Sequence, residues 1–328
     1  MMPMRPHRIV RVFVFLFLCT TLSCSTVPGV PAPESYEPGP RPVYLRYAVM
    51  PENPRPGCPV TIAVRGGLGV EAVVLMMGER RLGRATFFPV ASGDGTLHFY
   101  ATVLTVPTTV DAGRAMFVLE TRDGIAAEIP LYVVPREFHS ETIRLTQALT
   151  GIRTDVSQQR VAESEHLWAV LGRVGDEAHF FDAFVRPVES TRRTSTFAAR
   201  RIFVNANGTR TTSIHAGIDY GVPTGTPVFA SGAGRVVLAR NRIVSGKSVI
   251  IEHLPGVYSI YYHLDLIGVE EGDMIAAGAV LGLSGNTGFS TGPHLHWEVR
   301  VFGENTDPDA FVSRPLIDRD AILGKLGY

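Results

Sequence analysis

A mainly β fold follows from three observations. The chain holds 33 Gly and 23 Pro in 328 residues, and these punctuate short runs rich in β-branched and aromatic side chains. Helical periodicity is modest and concentrated in one stretch. Apolar residues make up 45 % and charged residues 19 %, the balance of a chain that buries a core. Single cores rarely grow past about 250–300 residues, so two are expected. The predicted architecture is an N-terminal Ig-like β-sandwich, a helical connector and a C-terminal antiparallel β domain.

Residues 1–24 read as an export signal. Arg5, Arg8 and Arg11 precede the apolar run Val12 to Cys19, which is shorter than the ~20 residues a helix needs to span a bilayer. Thr21-Leu-Ser-Cys24 resembles the lipobox of bacterial lipoproteins, with Thr21 and Leu22 transposed from the usual order. That resemblance implies a lipid on Cys24 and a membrane anchor; ordinary cleavage near Ser23 to Ser25 is the alternative. With Cys24 so used, Cys58 is left without a partner for a disulfide and reads as a buried small apolar residue. Residues 25–42 carry Pro28, Pro31, Pro33, Pro38, Pro40 and Pro42, the composition of a semi-rigid tether.

Residues 43–136 contain the β-rich runs Val60–Val64, Ala72–Met76, His98–Leu104, Met116–Thr121 and Ile129–Val134. Gly66-Gly67, Ser92-Gly-Asp-Gly95 and Asp123-Gly124 separate them. This spacing predicts the sandwich, and with no cluster of His, Cys or carboxylates in it, the role expected is spacer or docking module. Residues 137–183 differ: Leu167, Val170, Leu171 and Val174 follow i, i+3, i+4, i+7 spacing before Gly175, an amphipathic helix ending there. His139, His166 and His179 lie in this connector without partners at ligand spacing.

Residues 184–328 return to short strands, among them Gly234–Leu238, Ser248–Glu252, Tyr258–His263 and His294–Val299. Half of the ten histidines fall here. The 31 basic and 31 acidic side chains cancel, which argues against nucleic-acid binding through a broad basic face. Arg192-Arg193 and Arg200-Arg201 read as a solvated strand edge rather than a site for acidic polymers.

Chemistry concentrates in this last region. His215-Ala-Gly-Ile-Asp219 places an imidazole and a carboxylate four residues apart, on a loop entering a strand rather than a helix, because Gly217 and Gly221-Val-Pro223 disfavour helix. His294-Leu-His296 alternates as a strand does, so both imidazoles face one side while Leu295, Trp297 and Val299 pack on the other. His263 ends the run Tyr261-Tyr262-His263 and reaches the same space if the strands are neighbours. A hydrolytic zinc site takes three His, Asp, Glu or Cys ligands and keeps one position open; two of these histidines and Asp219 supply such a set. Two imidazoles then remain, suited to proton transfer near neutral pH.

His215-x-Gly-x-Asp219, Tyr262-His263-Leu264 and the run from Gly285 to Glu298 containing His294-Leu-His296 together resemble the catalytic domain of M23 (lysostaphin/LytM-type) zinc metallopeptidases, over roughly Phe184 to Phe311. The resemblance implies one Zn2+ per chain on His215, Asp219 and His296, with His263 and His294 as the catalytic non-ligand pair. It implies hydrolysis of peptide bonds in peptidoglycan stem or cross-bridge peptides, in an exported, lipid-anchored protein of the cell envelope. The alternative is a non-catalytic LytM-type regulator that activates another cell-wall hydrolase; relatives of that kind have lost zinc ligands, and none is missing here. Glu298 shares the His294/His296 face by parity, which leaves open a hydrogen bond to an imidazole or a solvated strand end. Ser195-Thr-Phe-Ala-Ala-Arg200 departs from the family's S-x-F-G-x-R at Ala198, where a local backbone adjustment is expected.

Overall fold

The computed structural model describes residues 45–66 and 69–327; the expected export signal, Cys24 and the proline-rich tether lie outside them. Among the described residues, no helix is long and apolar enough to cross a membrane. Eight strands come first: β1 (Arg46–Met50), β2 (Pro59–Arg65), β3 (Val70–Met77), β4 (Arg80–Thr86), β5 (Phe88–Ala91), β6 (His98–Thr105), β7 (Gly113–Thr121) and β8 (Gly124–Val133). They form two four-stranded antiparallel sheets, ordered β1-β2-β6-β5 and β4-β3-β7-β8. Alternate side chains of the two, such as Ile62, Val64 and Leu104 against Leu75, Phe117 and Leu131, fill the space between them, as a sandwich requires.

The connector is not wholly helical. It opens with a strand, β9 (Ser140–Arg144), before α1 (Gln147–Thr154) and α2 (Gln158–Leu171). Thr146 and Ser157 cap the two helices, their hydroxyls accepting from Leu149 N and Arg160 N. The α2 helix stops at Gly172, three residues before the expected Gly175. Val170 and Leu171 are buried, whereas Val174 lies beyond the helix and is 42 % exposed.

The C-terminal part carries β10 (Arg193–Ser195), β11 (Arg200–Val204), β12 (Arg210–Ile214), β13 (Ile218–Tyr220), β14 (Pro227–Phe229), β15 (Gly234–Arg242) and β16 (Gly246–Leu254). It continues with β17 (Val257–Ile267), β18 (Met274–Ile275), β19 (Val280–Ser284), β20 (Leu295–Val301), β21 (Glu304–Thr306), α3 (Asp309–Val312) and α4 (Arg319–Leu326). A ten-stranded sheet runs β10-β13-β20-β17-β16-β15-β18, with β19 on β17 and β14, and β21 on β20. The strands β12-β11-β9 form a smaller sheet in which β9 joins β11 in parallel, Glu141 opposite Arg201.

The sandwich and the large sheet share a core. Ala48, Ala63, Phe99 and Val103, from the outer face of the first sheet, are buried in one cluster with Phe184, Phe311, Leu316 and Leu326. This is why Val60-Thr-Ile-Ala-Val64 reads as a nearly continuous apolar run: both faces of β2 are covered. Helix α4 returns to β1, where Arg46 Nη1 donates to Leu326 O at 2.9 Å. The β-sandwich is thus built into the rest of the described protein. Cys58 is a free thiol and only partly buried, less enclosed than expected; it sits at the start of β2, where Arg314 Nη2 approaches its sulfur at 3.7 Å.

Candidate metal centre

Strand pairing gathers the histidines and Asp219. On the central strand β20, His296 lies opposite Asp219 of β13 on one side and Tyr262 of β17 on the other. His215 enters from the loop before β13, fixed by backbone bonds in which His215 N donates to Ala199 O and Ala198 N donates to His215 O, both 2.9 Å. Gly217 lets that loop lie against β20, since a Cβ there would sit 2.1 Å from Trp297 O. His294 precedes β20 in a single bridge with Gly285.

His263 arrives by a different route. Along a regular strand it would project away from Tyr262, to the face where Tyr261 and Trp297 pack. The register of β17 slips at this point, and His263 takes φ +61°, a left-handed conformation rare for residues with a side chain. The slip turns its ring into the cleft, with centroids 4.8 Å from His294 and 6.1 Å from His296. The expected site residues are therefore all in one place.

Each imidazole has one nitrogen facing an atom that can only accept. His215 Nδ1 is 2.8 Å from Thr196 O, His294 Nδ1 2.8 Å from Gly292 O, His263 Nδ1 2.8 Å from Thr287 O, and His296 Nε2 2.9 Å from Glu298 Oε1. Those nitrogens carry the protons, which leaves lone pairs on the opposite ring nitrogens. His215 Nε2, His296 Nδ1 and Asp219 Oδ1 then converge at separations of 3.1, 3.0 and 2.7 Å. Three electron-rich donors at such distances repel unless a cation or proton lies among them, and two imidazoles with one carboxylate are a zinc-type set. The donor chemistry therefore fits a zinc ion.

The electrostatics agree. Burial opposes the charge on Asp219, yet the contacts with His215 and His296 hold it well below the usual carboxylate range. Burial also opposes a charged His296, but Asp219 and Glu298 outweigh it and lift the metal-free imidazole to about 9. Without an ion, a proton on His296 takes the cation's place. Burial lowers His294, and burial reinforced by the His294 and His296 imidazoles takes His263 down to about 3. Both are therefore neutral at pH 7, with Nδ1 anchored and Nε2 free.

The structure decides what the sequence left open at Glu298 and adds a contributor that the sequence reading missed, Arg201. Glu298 is 4 % exposed and bridges His296 to Arg300, whose Nε donates to it at 2.9 Å; the solvated strand end is excluded. Arg201 is no solvated edge residue either: its side chain is 16 % exposed, and it donates to Asp219 Oδ2 at 2.6 Å and Glu141 Oε1 at 2.5 Å. Its neighbour Arg200 donates to Thr108 O, and Arg193 pairs with Asp309. Ala198 takes φ +58°, a left-handed conformation that a glycine would favour.

The cleft over the donors holds about 170 Å³ and is lined by Ile143, Phe203 and Phe289 as well as by His263 and His294. A wider groove of about 770 Å³ lies between β1 and β8, lined by Tyr47, Arg114, Tyr132 and the Glu52–Lys325 pair. Its lining holds no His, Cys or Asp.

Comparison with known proteins agrees with this geometry. Residues 213–308, which span the donor set, match the model of Peptidase family M23. The peptidoglycan DD-endopeptidase ShyA of Vibrio cholerae is 44 % identical over 123 residues, covering 37 % of this chain and 28 % of ShyA. The DD-carboxypeptidase/endopeptidase Mpg of Neisseria meningitidis is 38 % identical over 137 residues, covering 42 % of this chain and 30 % of Mpg. The matched stretches thus span less than a third of these relatives' own length. A Pseudomonas aeruginosa protein assigned to peptidase M23 shares the fold over 79 % of this chain and 94 % of its own, with a TM-score of 0.56 at 24 % identity. This chain carries a domain of peptidase family M23.

Proposed function

We propose that the protein is a zinc-dependent endopeptidase cutting peptide bonds in peptidoglycan stem or cross-bridge peptides. The observation that carries this reading is the meeting of His215 Nε2, Asp219 Oδ1 and His296 Nδ1 within 2.7–3.1 Å of one another, beside two neutral imidazoles that line the same cleft. One zinc ion per chain, held by those donors, would supply Lewis-acid chemistry, acidifying water and polarising a carbonyl. His263 and His294 accept the proton released by the attacking water and deliver one to the leaving amine, their Nδ1–H bonds to Thr287 O and Gly292 O keeping Nε2 pointed inward. The named activities of the ShyA and Mpg relatives support the substrate class. They also support a place in the cell envelope, and the lipobox-like run ending at Cys24 supports a lipid anchor there, facing periplasm or exterior.

The rival reading, a regulator that activates another hydrolase, finds no support in a site where every donor is present. The full chain purified with zinc and incubated with peptidoglycan sacculi should hold one zinc per chain and release peptides with new termini, identified by mass spectrometry. His296→Ala should release none. A zinc-loaded protein that cuts no wall peptide, yet stimulates a separate hydrolase even as His296→Ala, would replace this proposal with the regulator.

A further inference from the structure

We propose that Glu141, on the connector strand β9, is a positioning residue for the His215–Asp219–His296 site. This inference rests on the zinc reading above. Glu141 lies outside residues 213–308, the stretch that matches the family, and reaches the site only because β9 pairs in parallel with β11.

Its carboxylate reaches two of the three donors. Glu141 Oε1 accepts from Arg201 Nε at 2.5 Å and from Ser195 Oγ at 2.8 Å. Through the first bond it fixes the guanidinium that donates to Asp219 Oδ2 at 2.6 Å. Asp219 then has one oxygen occupied, while Oδ1 alone faces His215 and His296. Through the second bond it takes the Ser195 hydroxyl proton, so that Ser195 Oγ presents a lone pair to His215 Nδ1 at 3.2 Å. This reinforces the tautomer that leaves His215 Nε2 free.

The arrangement also restrains Arg201. A guanidinium facing a single carboxylate prefers to grip both oxygens, which would draw Asp219 Oδ1 away from the imidazoles. Glu141 gives Arg201 a second carboxylate and holds it to one oxygen of Asp219. Its side chain is 21 % exposed, so the pair with Arg201 is half-buried and can serve fold and site alike; metal-free melting and zinc affinity read the two separately.

The test compares wild-type full chain with Glu141→Gln, using the exposed Glu137→Gln as control. Zinc affinity is read by competition with a chromophoric chelator, ligand geometry by the visible spectrum of the Co2+-loaded protein, and folding by the melting temperature of the metal-free protein. Glu141→Gln should bind zinc about 10–100-fold more weakly, shift the cobalt bands, and lower kcat at unchanged KM, with little change in metal-free melting. Zinc affinity within threefold of wild type together with unchanged cobalt bands would overturn the inference.

Should Glu141→Gln also unfold, Ser195→Ala decides the matter, because it breaks the His215 arm without touching the β9–β11 pairing. Weaker zinc binding at unchanged melting upholds the inference, and unchanged zinc binding overturns it. A wild-type chain that binds no zinc at all would remove the reading this inference rests on, a result distinct from equal binding by wild type and variant.

Discussion

Replacing Glu298 by Gln tests how the protein sets the donor nitrogen of His296. The glutamate is buried and accepts two bonds, from His296 Nε2–H and from Arg300 Nε–H, each at 2.9 Å. A glutamine of the same shape has one oxygen and one NH2. If the oxygen keeps Arg300, the NH2 faces His296 Nε2, and the imidazole must move its proton to Nδ1, the nitrogen aimed at Asp219 and His215. If the oxygen keeps His296, a buried Arg300 donor meets another donor. An unsatisfied buried donor costs about 1–3 kcal/mol, and loss of a buried ion-pair partner about 3–5, so about 3 kcal/mol is expected. At about 2–4 °C per kcal/mol, that lowers the melting temperature by about 6–12 °C. Disturbing a partner that orients a metal-bound imidazole weakens binding by about 10–100-fold. Calorimetric melting with and without zinc, alongside chelator competition, measures both effects. A Glu298→Gln protein within 1–2 °C and threefold in zinc affinity of wild type would refute the view that this carboxylate selects the tautomer.

The two histidines of the His-Leu-His segment should separate cleanly. His296→Ala loses zinc and activity together, whereas His294→Ala loses activity but keeps its zinc, and metal loss in the latter would mean the ligand had been assigned to the wrong member of the pair. The metal-free protein should show a pH optimum of stability. His296, raised from 6.5 to about 9, contributes stability fully present below pH 6.5 and lost as pH rises through 9. Glu298, lowered from 4.5 to about 2, contributes stability present above pH 4.5 and lost as pH falls through 2. Melting temperatures should therefore peak between these limits and fall toward pH 10, and zinc uptake at pH 7 should release about one proton, detectable with an indicator dye. At Ala198, whose φ is +58°, a β-branched side chain is strongly disfavoured; Ala198→Val should cost more than about 2 kcal/mol, read by urea unfolding, while Ala198→Gly stays within about 1 kcal/mol of wild type.

What the sequence made legible was local. Alternation in His294-Leu-His296 shows that two imidazoles share a face, and Gly217 with Gly221-Val-Pro223 marks His215–Asp219 as a loop rather than a helix, because these signals depend on neighbours a few residues away. What it hid was set by contacts between distant segments. Arg201 looked like half of a basic pair on a surface strand, and only the parallel pairing of Ser140–Arg144 with Arg200–Val204 brings Glu141 to it beside Asp219. The strand itself is five residues long and polar at its ends, too weak a pattern to stand out ahead of two helices. His263 faces the cleft through a register slip, where strict alternation would have sent it to the other side. The two buried faces of β2 leave no alternation to read, so the sequence could not say which partner covers which face.

That doubly covered sheet bears on how the molecule moves. Ala48, Ala63, Phe99 and Val103 lie in one apolar cluster with Phe184, Phe311, Leu316 and Leu326. Swinging the sandwich away from the ten-stranded sheet would wet them all, at about 1.5–3 kcal/mol for each large side chain. No elbow works there at ordinary temperatures. Residues 43–328 should behave as one stiff body that tumbles, diffuses and melts as a unit, so a heated sample should show a single endotherm rather than two. A cleft on such a body is aimed by turning the whole of it, so whatever enters must come to the histidines rather than be wrapped by them.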